Sequence, residues 1–183
     1  MTQFQFIPQR LPGVVLIEPF RHADARGEFV KTFHAANFAS QQIEFTLREE
    51  FFSISQRGVL RGMHFQTPPY AHSKMVTCLT GAIVDVLVDL RHNSPTYGEH
   101  AAYELSGDNR RVLYVPVGLA HGFVSTFDGS CVAYKTDREH APENDCGIRW
   151  DSFGYTWPIA GDELIISPRD QHHPALAEFT SPF

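Results

Sequence analysis

Short apolar runs rich in β-branched and aromatic residues recur along this chain, broken every ten residues or so by Gly, Pro, Asn or Asp. The runs are VVLIEPF (14–20), EFVKTF (28–33), EFFSIS (50–55), GVLRGMHF (58–65), KMVTCLTGAIVDVLVDL (74–90), HAAYELS (100–106), RVLYVPV (111–117), AHGFVSTF (120–127) and SCVAYKTD (130–137). Several alternate with a period of two, the pattern of a strand whose two faces differ. In AIVDVLVDL, Ala82, Val84, Val86 and Val88 share one face, while Asp85 and Leu87 take the other. The break at LTGA (79–82) predicts two strands joined by a tight turn carrying Gly81. Only HAANFASQQ (34–42) reads as helix, and a short one. From Trp150 to Phe183 the chain is Pro-rich and irregular, and it is expected to pack along the body of the protein. Many short strands at this spacing predict an all-β sandwich or barrel, of which the jelly roll is one solution.

Composition narrows the picture without changing it. A chain of 183 residues fits a single domain spanning 1–183, large enough to bury a core without metal or disulfide support. With Phe 15 and Tyr 6 against Met 3, the apolar side chains suit a pleated surface. The net charge of -6 excludes a basic footprint for nucleic acid. A phosphate-bearing ligand must therefore be met by a few placed Arg and Lys residues. Cys78, Cys131 and Cys146 are odd in number and lack C-x-x-C spacing, which argues against a disulfide framework or a structural zinc site. The start, MTQFQFIPQRLPG, has neither a cationic n-region nor a long apolar core, and no stretch approaches a membrane span. The chain reads as a soluble cytoplasmic protein.

Two segments carry the chemistry. GMHFQ…KMVTCLTG, from Gly62 to Gly81, and VPVGLAHGFVS, from Val115 to Ser125, resemble the paired motifs of the cupin superfamily. Metal-binding cupins supply His-x-His and a Glu from the first motif and one more His from the second. Here His64 and His121 are present, Gln66 replaces the second His, and Lys74 holds the Glu position. A cation where a metal cage needs a carboxylate repels a divalent ion, so the resemblance implies the scaffold without the metal.

A longer resemblance covers nearly the whole chain. DARGEF (24–29), GVLRGMHFQTPP (58–69), Lys74 with MVTC, GAIVDVLVDLRHNSPTYG (81–98), LSGDN (105–109), YVPVGLAHGF (114–123), AYKTD (133–137), WP (157–158) and ISPRD (166–170) occur in order. They are similar to the dTDP-4-dehydrorhamnose 3,5-epimerase family. That resemblance implies a cupin-type jelly-roll barrel with a few short peripheral helices. The implied reaction is epimerisation at C3 and C5 of a nucleotide-linked 4-keto-6-deoxyhexose, with no organic cofactor or metal. It implies a homodimer whose N-terminal strand crosses to the partner. His64 then matches the general base, Asp170 the carboxylate that orients it, Tyr134 the acid on the opposite face, and Lys74 the cation at the ketone oxygen. Arg26 and Arg61 match phosphate contacts and Phe29 a base-stacking side chain. Asp145 and Arg169 fall at ligand-contact positions. The physical logic agrees, because a C–H beside a ketone yields its proton only if the developing enolate oxygen is stabilised.

Each of these residues also has an ordinary alternative. His64 and Tyr134 taken alone would be core residues, Lys74 a surface lysine, Asp170 a turn residue. Phe29 divides between core and stacking, and His121 between pocket wall and structural hydrogen-bonder. Asp89–Arg91 and Ser94–Thr96 are assigned to fold and turn; His72, His172 and His173 are expected to be solvated.

The departures from the family pattern cluster at recognition positions. Lys31 stands where the family has Glu, and Glu49 and Phe51 stand where a Gln-x-Asn pair precedes Ser53. His140 stands where a stacking Tyr is usual. A salt bridge between Lys31 and Glu49 would preserve the charge balance, and a carboxylate at Glu49 can accept from an exocyclic amine, as with cytosine. Cytidine is therefore an alternative base, and a titration in which dTDP binds much better than CDP counts against it. The rival functions are a single-position epimerase, a metal-dependent cupin using His64 and His121, and a non-catalytic sugar-binding cupin. Deuterium uptake from heavy water separates the first, bound metal the second, and an absence of exchange the third.

Overall fold

The computed structural model describes residues 3–183. The strands in chain order are β1 (Gln5–Pro8), β2 (Val15–Glu18), β3 (Phe20–Asp24), β4 (Gly27–Lys31), β5 (Glu49–Ser55), β6 (Val59–Gln66), β7 (Lys74–Thr80), β8 (Ala82–Asp89), β9 (His100–Ser106), β10 (Val112–Val115), β11 (Leu119–Ser125), β12 (Ser130–Thr136), β13 (Asp145–Gly147) and β14 (Ile165–Ile166). The helices are α1 (Ala35–Ala39) and α2 (Pro168–Gln171). Proline sets several boundaries, because it donates nothing to a ladder: Pro19 splits the first apolar run, and β10 stops before Pro116.

Two sheets face each other as a cupin-type jelly roll. One has the order β1-β2-β10-β7-β12-β5 and the other β13-β6-β11-β8-β9, with β14 added in parallel to β6. The turn at Gly81 is real, with φ of +75 and Ser130 Oγ at 2.5 Å from where a Cβ would sit. It is a corner, not a hairpin, because β7 and β8 belong to different sheets. β3 and β4 pair only with each other, as a hairpin set apart from both sheets.

Both faces of β8 are buried, which alternation alone did not predict. Ile83 and Leu87 point into the barrel with Val76, Leu113 and Phe123. Val86 and Val88 lie outside it, yet are covered by Phe153, Trp157 and Ile159 of the C-terminal segment. Each fully buried side chain of this size contributes roughly 1.5–3 kcal/mol. Helix α1 does the same for the other sheet, seating Phe38 against Ile17, Met75 and Val112. Asp89 to Thr96 form a polar knot at the end of β8, as expected: the Asp89 carboxylate accepts from Arg91, Ser94 and Thr96. No helix among the described residues is long and apolar enough to cross a membrane.

Candidate active site

A cavity of about 680 Å³ opens between the two sheets. From the β6/β11 wall come His64 and His121, which are directly opposed across the β6–β11 pair. From the facing wall come Lys74 of β7, Tyr134 of β12 and Phe51 and Ser53 of β5. Period-two alternation explains the selection: Glu49, Phe51 and Ser53 line the cavity, whereas Phe52 and Ile54 point outward and are exposed.

The His64–Asp170 pair depends on a four-residue helix. Ser167 caps α2, accepting from the Asp170 N–H at 3.1 Å, and Pro168 follows it at the first helical position. This turn presents Asp170 to β6, where its Oδ2 accepts from the Gly62 N–H at 3.1 Å and its Oδ1 from His64 Nε2 at 2.7 Å. A carboxylate only accepts, so the proton sits on Nε2 and Nδ1 of neutral His64 is its basic nitrogen. Burial works against the Asp170 anion, but the bonds from His64, Gly62 and Ser167 outweigh it and hold its pKa below the ordinary value.

Lys74 is 8% exposed, and no carboxylate among the described residues lies within ion-pair distance of its Nζ. Burial brings its pKa down to about 8, against the opposing pull of Asp85 and Asp145. Tyr134 stacks on Phe51 at 4.8 Å between ring centroids, and its hydroxyl lies 3.3 Å from Ser53 Oγ. Burial raises its pKa, with the Ser53 bond opposing. His121 is both alternatives at once: it lines the cavity and donates from Nε2 to Asp85 Oδ2 at 2.8 Å. Burial leads in lowering its pKa, against Asp85.

The remaining expected positions divide sharply. Arg61, His140, Asp145 and Arg169 line the same cavity. Arg61 donates to Ser55 Oγ at 3.1 Å, and Arg169 pairs with Asp145 at 2.8 Å. Glu49 does not pair with Lys31; its Oε2 accepts from the His140 backbone N–H at 2.7 Å. Arg26, Phe29 and Lys31 lie on the β3–β4 hairpin and are absent from this cavity's lining. Arg26 pairs with Asp24, Lys31 lies 5.6 Å from the Phe20 ring, and Phe29 is 57% exposed.

A family model described as dTDP-4-dehydrorhamnose 3,5-epimerase matches residues 8–178. The chain belongs to that family. The dTDP-4-dehydrorhamnose 3,5-epimerase of Methanothermobacter thermautotrophicus is 43% identical to it over 97% of each chain. The Bacillus anthracis enzyme, solved with TDP and PPi bound, shares its fold with a TM-score of 0.92 at 33% identity, covering 95% of this chain and 100% of that one. The dTDP-6-deoxy-D-glucose-3,5-epimerase of Legionella pneumophila, solved with dTDP-4-keto-L-rhamnose, gives 0.91 at 33% identity over 96% and 94%.

Three further residues lie in or beside the cavity. His72 is not solvated: it lines the cavity, and burial, with Lys74, His121 and His140 nearby, pushes its pKa down to about 3. Its place two residues before Lys74 on the same strand approach was the available signal. His173 is not solvated either; its ring packs edge-on to His64 at 5.8 Å, outside the cavity lining. Gln66, at the lost ligand position, ties the wall together by donating to Tyr70 O and accepting from the Ala141 N–H.

Proposed function

We propose that this epimerase removes and returns protons at C3 and C5 of a dTDP-linked 4-keto-6-deoxyhexose, without a metal or organic cofactor. The observation that carries the reading is the placing of the His64–Asp170 pair and Tyr134 on opposite walls of one cavity, with Lys74 beside them. His64 takes the proton through its free nitrogen, and Asp170 keeps its tautomer and balances the imidazolium that forms. As the C–H bond breaks, charge moves to the ketone oxygen. Lys74 meets it there with a cation whose hydration has already been stripped by burial. Tyr134, neutral and on the far wall, delivers a proton to the other face of the enolate, which is what inversion requires. The relatives solved with TDP and with dTDP-4-keto-L-rhamnose support thymidine as the base and a keto sugar as the reacting group.

The test is deuterium uptake from heavy water into a dTDP-4-keto-6-deoxyhexose. Two deuterons per product are expected, and none with His64→Ala. A single deuteron means that one position is inverted, and full exchange by His64→Ala removes His64 from the reaction.

The working form in this proposal is a homodimer. Support comes from the hairpin, where Arg26 has 88% of its side chain exposed and Phe29 more than half, although a phosphate contact and a stacking ring belong inside a pocket. The exposed Phe52 and Ile54 on edge strand β5 offer apolar surface for a second copy. Mixing inactive Arg26→Ala with inactive His64→Ala chains is expected to restore part of the activity, since one mixed site carries both residues intact. No recovery after verified subunit exchange rules out sharing.

A further inference from the structure

His173 presents an anomaly that the reaction does not use. Its Nε2 is buried and has no hydrogen-bond partner, and it lies 3.8 Å from Asp170 Oδ1. A buried polar atom left alone costs about 1–3 kcal/mol, so its position asks for an explanation. The space for it is built in. Gly147, the residue of β13 paired with His64, leaves the spot where a Cβ would come within 2.5 Å of His173 Nε2. Any side chain at 147 would push the ring away from the Asp170 carboxylate.

One nitrogen of His64, one carboxylate oxygen of Asp170 and one nitrogen of His173 all lie within 4.8 Å of one another. Asp170 is 4% exposed, His173 has 12% of its side chain exposed, and His64 has 31%, on the cavity side. Two imidazoles and one carboxylate are a donor set that binds zinc, iron or cobalt. Zinc bonds of about 2.0–2.2 Å span donors separated by roughly 3–4 Å, and small ring rotations bring these three into that range. The pair of His64 and His121 offers no such set, because Asp85 already occupies His121 Nε2.

We propose that His64, Asp170 and His173 form a binding site for a divalent transition ion of the zinc class, and that filling it switches the epimerase off. The ion takes the place of the proton between His64 and Asp170 and draws the base away from the sugar. Binding itself stands on geometry alone; the inhibition rests on the proposed role of His64.

The test uses the full chain, stripped with a chelator, and titrated with Zn²⁺ by calorimetry and with Co²⁺ by visible absorption. One ion per chain is expected, with d–d bands for Co²⁺, and deuterium exchange should fall in step with occupancy and return with EDTA. His173→Asn and His173→Phe, each checked for an unchanged circular dichroism spectrum, are expected to bind at least about tenfold more weakly. In metal-free buffer they should turn over at close to the parent rate. An absence of binding by the parent chain, or equal affinity in both variants, overturns the site. Metal bound without loss of exchange overturns the switch. Exchange by His64→Ala in metal-free buffer would sink the proposed reaction separately, leaving the ion site untouched.

Discussion

Strand β8 carries two aspartates four residues apart, both fully buried, and they end in opposite circumstances. Asp89 is complete. Its two oxygens accept from the Arg91 N–H and guanidinium, from Ser94 Oγ and from Thr96 Oγ1, all at 2.6 to 3.0 Å. Burial disfavours its anion, yet those partners prevail and bring its pKa down to about 2. Asp85 is half finished: Oδ2 accepts from His121, and Oδ1 has no partner. The other buried side-chain polar atoms without partners among the described residues are His72 Nδ1, the Tyr103 hydroxyl and His173 Nε2. His72 lines the cavity, Tyr103 faces Asp85 across the β8–β9 pair, and His173 flanks Asp170. One of these groups thus lines the cavity, as does the buried Lys74, and Asp85 and His173 lie beside its lining residues His121 and Asp170. A group bonded on every side, such as Asp89, stabilises the fold, whereas a group left wanting a partner costs stability and can act on a ligand.

That contrast can be broken at several points. Asp170→Asn should have the largest effect, lowering turnover by about 10³–10⁴-fold, because an amide no longer dictates the imidazole tautomer. Deuterium incorporation measures it, and a loss under tenfold would mean that the His64–Asp170 bond is only structural. Lys74→Met should reduce turnover about 10²–10³-fold, the usual consequence of losing an oxyanion donor. It should also make the protein harder to unfold, by up to about 3 kcal/mol, since a drop from 10.5 to about 8 measures what burying the ammonium costs. Urea denaturation reads this, and a variant that is both active and no more stable contradicts both roles.

Asp89→Ala should do the reverse, losing about 3–5 kcal/mol by leaving the Arg91 guanidinium without its counter-charge, while turnover per folded molecule is unchanged. A fall in turnover at unchanged stability would erase the distinction between the two aspartates. The mildest effect is that of pH. Above about pH 8 Lys74 loses its proton, so kcat/KM should decline there by up to tenfold per unit. Over the same window the unfolded chain still binds the proton that the native state has released. The Lys74 contribution to stability therefore rises from about pH 8 to its ordinary 10.5 and is flat below that. Lys74→Met should lack this rise in pH-resolved denaturation, and its persistence would assign it to another group.

Much of this architecture was legible locally. β-Branched and aromatic content between breakers marked the nine principal runs, several of them alternating, and Gly81 marked the turn after Thr80. What escaped was whatever depends on a partner distant in sequence. β1 takes its register from β2, and β13 and β14 exist only as short additions to β6. The polar Asp85 within AIVDVLVDL looked like one element of alternation. Its meaning appeared only with His121, thirty-six positions away in the chain. His173 read as solvated because nothing adjacent in sequence announces its burial, whereas for His72 the signal was its place two residues before Lys74. The Lys31–Glu49 pairing failed for the same reason, since the His140 N–H reaches Glu49 first.

The sequence by itself determined the strand pattern, the family and the residue types available for proton transfer, because periodicity and spaced motifs are properties of the chain. Only the tertiary structure decided which of those residues meet. It closed two sheets so that His64 and Tyr134 face each other, folded the tail back to bring Asp170 onto His64, and set Arg26 and Phe29 outside their own cavity. The physical reason is one of range: backbone preference acts over a few residues, whereas desolvation and hydrogen bonding act on whatever the packed fold brings within a few ångströms.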